Sequence, residues 1–581
     1  MYMLQCRDGS LYTGYTIDIE HRLAEHNQGR GSKYVRSRLP AKLVYYETYN
    51  SKEIAMRREA QIKRLPKQLK IQLIRNHLYG GTDMQYFSTR GQAQPVNAAQ
   101  AIKQGIASDG GLFVPEQFTI ISDELPRLVN LSYPQLASEI LSRYLTDYTI
   151  EEVNQCVNNA YNNEKFDHQD IAPVQSLNDD VHILELWHGP TCAFKDMALQ
   201  ILPHLLKLAA EKTGESDEIV ILVATSGDTG KAALEGFKNV AGTKVIVFFP
   251  DNGVSEVQRL QMLTQEGDNV NVVAVEGNFD DCQSGVKGIF GDAAFNQRIK
   301  ANSYTFSSAN SINWGRLLPQ IVYYFSAYFN LVRNNRLEMG RPVNFVVPTG
   351  NFGNILAGYY AKQMGLPINK LICAANANNV LTDFIKTGSY DRNRDFLQTV
   401  SPSMDILISS NLERLLFELT GRNARQVSEW MNQLKQQGKY AVDATTKKLV
   451  QNFFWSHYAN DEETLATIKT VWEQYHYLMD THTAVAYKVY CDYRRETGDT
   501  TKTIIASTAS PFKFNTSVAQ AVMGSEELAD QNEFALLDKL AKFSGWSIPA
   551  GLNQLDQKPV RHNKKATVAG IDAAVAEILG L

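Results

Sequence analysis

"EIVILVATSGDTGKAALEGF", residues 218–237, decides the fold class. A run of seven residues, mostly apolar and β-branched, leads into glycines and hydroxyl residues, and these lead into a run of helix formers. That order describes a buried strand feeding a helix through a tight turn. Working outward, the same alternation recurs: "KVIVFFP", "NVNVVAVEG", "VNFVVPTG", "KLICAAN" and "TIIAST" are strand candidates, and amphipathic stretches such as "SEVQRLQMLTQ" and "ILAGYYAKQMG" lie between them. Continuous apolar strands alternating with helices predict an α/β body, with parallel strands covered on both faces. Ligands in such bodies gather beyond the carboxyl ends of the strands.

The loops at those ends are unusual. "ATSGDTGKAA" follows the first strand, "PTGNFGNIL" the fourth and "STASPFKF" the last, while "WHGPTCAFKDMALQ" (Trp187–Gln200) sets Lys195 between Phe194 and Asp196 where an apolar helix begins. A lysine in an interior segment destabilises unless it has a partner or a task. Glycines at a helix start let backbone N–H groups converge on an anion, so Gly350, Asn351, Phe352, Gly353 and Asn354 form a candidate phosphate cup. Alone, "GNFGN" is more often a plain turn. "SGDTGK" is not a Walker loop, because Ala232 stands where that motif needs Ser or Thr. Together the loops offer a phosphate cup, an amine at Lys195 and a hydroxyl at Thr508. Pyridoxal phosphate carries the matching phosphate, aldehyde and ring nitrogen. Apolar surroundings and a helix start lower a lysine's pKa, which favours the neutral amine that forms a Schiff base.

At 581 residues the chain exceeds one compact core. No apolar run approaches the roughly 20 residues of a membrane span, and the start lacks a signal pattern, so a cytoplasmic protein is expected. The six cysteines are scattered, which suggests reduced thiols and neither a zinc cluster nor a disulfide framework. Charge divides unevenly: residues 1–80 carry +8 and the remainder −12. The seam is "GGTD", residues 80–83, a linker between a basic unit (1–79) and the α/β body.

The basic unit is expected to run strand, "RDGS" turn, strand, helix, strand, helix. With Tyr2 in its first strand, Tyr12, Thr13 and Gly14 in the second, Arg22 and His26 on the helix after it and Glu59 in "RREAQIKR", it resembles the GIY-YIG nuclease family, a small α+β domain. The resemblance implies Glu59 as ligand of a divalent metal and Arg22 as charge stabiliser beside Tyr2 and Tyr12, with nucleic acid as partner. Arg22 and Glu59 also suit an ordinary solvated face, and a basic excess can bind nucleic acid without cutting it.

"YFSTRG", "GGLFVPE", "HGPTCAFKD", "ATSGDTGKAALEGF", "SSANSINWGRLLPQIVYY", "PTGNFGNILAGYYAK" and "STASPFKF" stand in order over nearly 500 residues. This set resembles the threonine synthase family, pyridoxal-phosphate enzymes of the tryptophan-synthase-β structural class. "STASPFKF" departs from the histidine and alanine the family often shows around its proline, but Thr508 is retained. The resemblance implies an N-terminal subdomain over 84–175, a catalytic body over 176–581, and conversion of O-phosphohomoserine and water to threonine and phosphate. It implies that Lys195 carries the cofactor, and that the substrate's α-carboxylate sits near Ser226, Asp228 and Thr229. The substrate phosphate is expected at "NSINWGR", with Asn310, Ser311, Asn313 and Arg316 as candidates, though any of these polar residues also suits a helix cap. His188 either lines the substrate cavity or is a core histidine, and Cys192 is a small packed residue. A helical region from about 405 to 495 is expected to be peripheral. Two alternatives stand beside this reading: another pyridoxal-phosphate elimination or replacement enzyme (dehydratase or sulfhydrylase), and a nucleic-acid-binding protein with a metabolite-sensing body. The separate phosphate patch argues against the first, and the presence of Lys195 against the second.

Overall fold

The computed structural model describes residues 1–581 apart from 50, 66–69, 71–72, 75–82, 226, 252–253, 525–527 and 529–530. The chain divides into two compact units, Met1–Asp83 and Met84–Leu581. Most of the expected 80–83 linker lies outside the described residues.

In the first unit, Tyr2–Cys6 is the central strand of an antiparallel sheet, flanked by Leu11–Gly14 and Ala41–Tyr46. The "RDGS" hairpin closes because Gly9 adopts a left-handed φ of 73° and donates its N–H to the Cys6 carbonyl. "MYMLQC" is apolar throughout because both faces of this strand are covered. Met1 and Met3 pack with Ile62 on one side, and Tyr2, Leu4 and Cys6 pack with Val35 on the other. Asp18 caps the helix Ile19–Asn27, and Ser51 caps the helix Lys52–Arg64.

The second unit holds two larger sheets, and the six strand candidates divide equally between them. One sheet runs Tyr304–Ser307, Glu218–Ala224, Thr243–Pro250, Val270–Glu276 and Lys564–Thr567, all parallel. The other runs Phe454–Tyr458, Ile368–Ala375, Val343–Pro348, Thr503–Ser507, Val181–Glu185 and Val174–Ser176, parallel except for its last pair. The helix Gln320–Arg333 is buried on nearly every side, which accounts for an apolar character spread all round it.

The region from about 405 to 495 is not a peripheral helical layer. "FWSHY", Phe454–Tyr458, is a strand of the larger sheet, and the helix Thr481–Thr497 is buried against that sheet along most of its length. A five-residue strand between two long helices is hidden by the helical period on either side of it.

Two units with separate cores are expected to unfold separately. A chain beginning at Met84 should keep the far-ultraviolet dichroism of the larger unit and the midpoint of its main calorimetric transition. Loss of that transition, or a midpoint many degrees lower, would mean that the larger unit needs the smaller one to fold.

Candidate active site

The loops that leave the two sheets meet at one carboxylate. Gly227 takes a φ of 134°, and a side chain there would run into Gln258, so only glycine fits the turn that starts the helix Asp228–Phe237. Thr225 braces this turn, its hydroxyl accepting from the N–H groups of Gly227 and Gly230. Asp228 is thereby buried with four donors around its two oxygens. Lys195 Nζ (3.2 Å) and Ser403 Oγ (2.7 Å) reach Oδ2; Lys513 Nζ (2.9 Å) and Gln258 Nε2 (3.0 Å) reach Oδ1. Burial opposes the Asp228 charge, but the two lysines and the hydrogen bonds hold it well below the usual carboxylate range. Burial pushes the Lys195 ammonium down, Asp228 pulls it back up, and Lys513 and Arg316 add to the lowering.

Lys195 begins the short helix Asp196–Leu199. Its approach is knitted to the neighbouring strand's exit: Phe194 N–H donates to the Thr508 carbonyl at 2.8 Å, Ser510 N–H to Cys192 at 3.0 Å, and Lys513 Nζ to Thr191 at 2.9 Å. Thr508 is buried beside Lys195's own segment. Asp196 accepts from the Thr191 N–H and hydroxyl, both at 2.8 Å, and burial pushes its carboxyl up to about 6.

The glycine turn after Val343–Pro348 is built around Phe352, a buried non-glycine residue with a φ of 62°. A left-handed backbone there costs about 1–2 kcal/mol, offset by the packing of its ring against Phe454. The turn opens the eleven-residue helix Gly353–Gln363, which has no side-chain cap; Leu356 N–H is the first to bond back, to Phe352. Helix geometry therefore leaves the N–H groups of Gly353, Asn354 and Ile355 without backbone acceptors in the helix. Asn354 accepts from Tyr323 (2.7 Å) and Tyr324 (2.8 Å), which leaves its buried Nδ2 with no partner. A side chain at Gly350 would crowd the Ser403 carbonyl at 3.1 Å, so the cradle favours glycine. Bare N–H groups, a buried unpartnered amide and a glycine-walled cradle fit the phosphate of pyridoxal phosphate.

Arg316 is buried and gives one N–H to the Ala309 carbonyl at 2.7 Å; its Nε has no partner, and no carboxylate among the described residues pairs with it. Burial pushes this guanidinium down to about 10. Asn313, expected at the substrate, is instead a structural cap. Its amide donates to Ile102 and Ser308 and its oxygen accepts from Gly315, so both amide hydrogens are already used. Asp228, expected near the substrate carboxylate, turns its own carboxylate to two lysines, so the donors this turn can offer are its backbone N–H groups. Thr229 is half-buried in the same first turn, and Ser226 lies outside the described residues. His188, with Lys165, Cys192, Lys231 and Lys558, lines a cavity of about 470 Å³ whose lining does not include Lys195.

Several residues of the site had no sequence signal of their own. Asn411 donates to Asn351 (3.0 Å) and Ser311 (3.3 Å), and buried Arg414 donates to Phe113 (3.0 Å), Ile312 (2.6 Å) and Asn411 (2.5 Å), so the two tie the glycine turn to the "NSINWGR" loop. His482, held by Asp480 at 2.7 Å, accepts the Ser403 N–H at 3.1 Å. Lys513 did carry a signal, since a lysine between Phe512 and Phe514 is the same anomaly as Lys195.

In the first unit, Tyr2 Oη and His26 Nε2 are 2.9 Å apart, Tyr12 packs on the His26 ring at 5.2 Å, and burial pushes the Tyr2 hydroxyl up to about 12. Arg22 holds Glu25 at 2.6 Å and also faces Tyr2. Glu59, the expected metal ligand, is engaged by Lys63 at 2.6 Å, and no group of three or more potential metal-ligating side chains gathers among the described residues.

Comparison with known proteins agrees with this geometry. Residues 1–72 match the GIY-YIG catalytic domain, 85–161 the threonine synthase N terminus, 170–508 the pyridoxal-phosphate dependent enzymes, and 483–567 the threonine synthase C-terminal family. Threonine synthase-like 1 of Homo sapiens is 44% identical over 73% of this chain and 58% of its own length; the chain thus spans under two thirds of that relative. Threonine synthase of Pseudomonas aeruginosa is 42% identical over 76% of this chain and 91% of its own. The solved structure of PLP-bound threonine synthase from Brucella melitensis superposes with a TM-score of 0.75 at 36% identity, covering 86% of this chain and 99% of that one.

His188 gives a pH prediction. Burial would push its imidazole down, but Asp167 (2.5 Å) and Glu185 (2.9 Å) outweigh burial and raise it from 6.5 to about 9. The raised value makes the contribution full below pH 6.5, and it is lost as pH rises through about 9. Discounted for the exposed Asp167 side, it is worth about 2 kcal/mol. Denaturant unfolding should show a loss of this size between pH 6.5 and 9 that His188→Asn lacks.

Proposed function

We propose, because this chain belongs to the threonine synthase family of pyridoxal-phosphate dependent enzymes, that it converts O-phospho-L-homoserine and water to L-threonine and phosphate. The observation that carries this reading is Arg316: a buried guanidinium without a counter-ion, near enough for its charge to act on Lys195. A second anion site beside the glycine turn suits a substrate with its own phosphate, which the dehydratase or sulfhydrylase reading would leave without a use.

The cofactor's phosphate would lie in the cradle of Gly350, Asn351, Phe352, Gly353 and Asn354, its aldehyde at Lys195 and its ring nitrogen at Thr508. When bound, pyridoxal phosphate supplies an aldehyde for an amine and a ring that withdraws electrons from the adjoining carbons. The remaining work falls to this chain's side chains. Lys195, favoured as a neutral amine by burial, takes the proton from the substrate's Cα and moves protons at Cβ. Arg316 grips the phosphate on Cγ in bidentate fashion and holds that carbon in place for departure of the phosphate. The first turn at Thr229 offers N–H groups and a hydroxyl to the α-carboxylate, away from the Asp228 side chain. Water's oxygen then bonds to Cβ, and the two protons taken from Cα and Cβ, with the one that water gives up, end on Cγ, on Cα and on the departed phosphate. A cytoplasmic setting belongs to the same reading and is supported by six free thiols, five of them buried.

For the first unit we propose nucleic-acid binding, supported by its +8 balance and by the Tyr2, Tyr12, Arg22 and His26 cluster.

Phosphate release from phosphohomoserine by the purified chain tests the main reading, and borohydride reduction with peptide mapping should mark Lys195. Release without threonine, or a label on another lysine, overturns it. Arg316→Ala should weaken phosphohomoserine by about 1.5–3 kcal/mol more than an analogue without phosphate, because one charge-assisted contact is lost. Equal weakening would put the phosphate elsewhere. For the first unit, duplex DNA should bind the full chain with a steep salt dependence and not bind a chain starting at Met84; equal binding by both removes that proposal.

A further inference from the structure

Two lysines share one buried carboxylate, and only one of them is needed as the cofactor amine. Lys513 Nζ is wholly enclosed, bonded to Asp228 Oδ1 and to the Thr191 carbonyl, both at 2.9 Å, within the turn Pro511–Phe514. Lys195 is held more loosely, by a single contact at 3.2 Å. We propose that Lys513 is a positioning residue: it is the standing counter-ion of Asp228, and so lets that carboxylate receive and release the amine of Lys195.

The inference rests on the reading of Lys195 as the cofactor lysine. An amine that engages an aldehyde must leave Asp228, and a buried carboxylate left without a cation costs several kcal/mol. Ser403 and Gln258 stay behind as donors, but both are neutral. Lys513 is the charge that stays, because its stem is enclosed and its second bond, to Thr191, does not depend on Lys195. Asp228 therefore keeps its charge and position throughout, ready to take the freed amine back.

The same arrangement bears on protons. The charged groups facing Lys195 are Asp228, Lys513 and Arg316, three cations to one anion if every amine is protonated. His482 lies one bond further out, accepting the Ser403 N–H and held by Asp480. The lysine with the weaker hold, Lys195, gives up the excess proton.

The test uses the full chain stripped of pyridoxal phosphate, with folding followed by circular dichroism. Lys195 is labelled competitively with acetic anhydride from pH 6 to 11 and quantified by peptide mass spectrometry. Lys513→Met should move the Lys195 titration upward, so that labelling at pH 8 slows by about tenfold. Lys513→Arg should restore it. A folded Lys513→Met protein with an unchanged Lys195 titration overturns the proposal. Should that variant not fold, Lys513→Gln carries the test: the charge is again removed while a polar group remains for the Thr191 carbonyl, and Lys195 should label more slowly at pH 8, an unchanged rate being equally fatal. Because no cofactor is present, a borohydride label on a different lysine would sink the functional reading and leave this measurement intact.

Discussion

A carboxylate buried away from water is tolerable only when cations and hydrogen-bond donors surround it. Asp228 obtains its donors from segments that share no local sequence: Lys195 and Lys513 follow two adjacent strands of the six-stranded sheet, Ser403 follows the 3-10 residue Pro402, and Gln258 comes from a helix of the five-stranded sheet's layer. Asp228 itself follows Glu218–Ala224, the second strand of the five-stranded sheet. One charge thus fixes how the exits of both sheets converge. Satisfying it brings the Lys195 amine, buried Thr508 and the glycine cradle to one place.

Much of this was legible in the sequence, for a physical reason. Strands buried on both faces must be continuously apolar, so the six candidates stood out, and glycine-rich exits stood out because a helix start with bare N–H groups needs small residues near it. What could not be read was the division of the strands between two sheets, which long-range pairing decides. Nothing local shows that the Asp228 side chain turns inward toward two lysines, because both come from distant segments of the chain. Asn313 fell to the usual competitor, a cap. Arg414 in "NLERLLFEL" has the pattern of a solvated charge on an amphipathic helix, yet it is wholly buried.

The two units solve opposite electrostatic problems. The first carries excess positive charge with its tyrosine and histidine hydroxyl and ring groups sheltered among apolar neighbours. The second is acidic overall yet places two cations, Arg316 and Arg414, in its interior with no carboxylate bonded to either among the described residues. Net charge describes the surface a partner meets at long range; it says little about the sign of the field where chemistry happens.

Arg414 binds mostly through main-chain oxygens, those of Phe113 and Ile312, and through Asn411. Every amino acid carries the same carbonyl, so the side chains at 113 and 312 are free to drift over generations as far as this clamp is concerned. What the clamp does not tolerate is a change in the number of residues, because an inserted or deleted position would carry the oxygen out of reach. These two segments should accordingly accept substitutions more readily than gaps, a constraint on length that leaves little trace in composition.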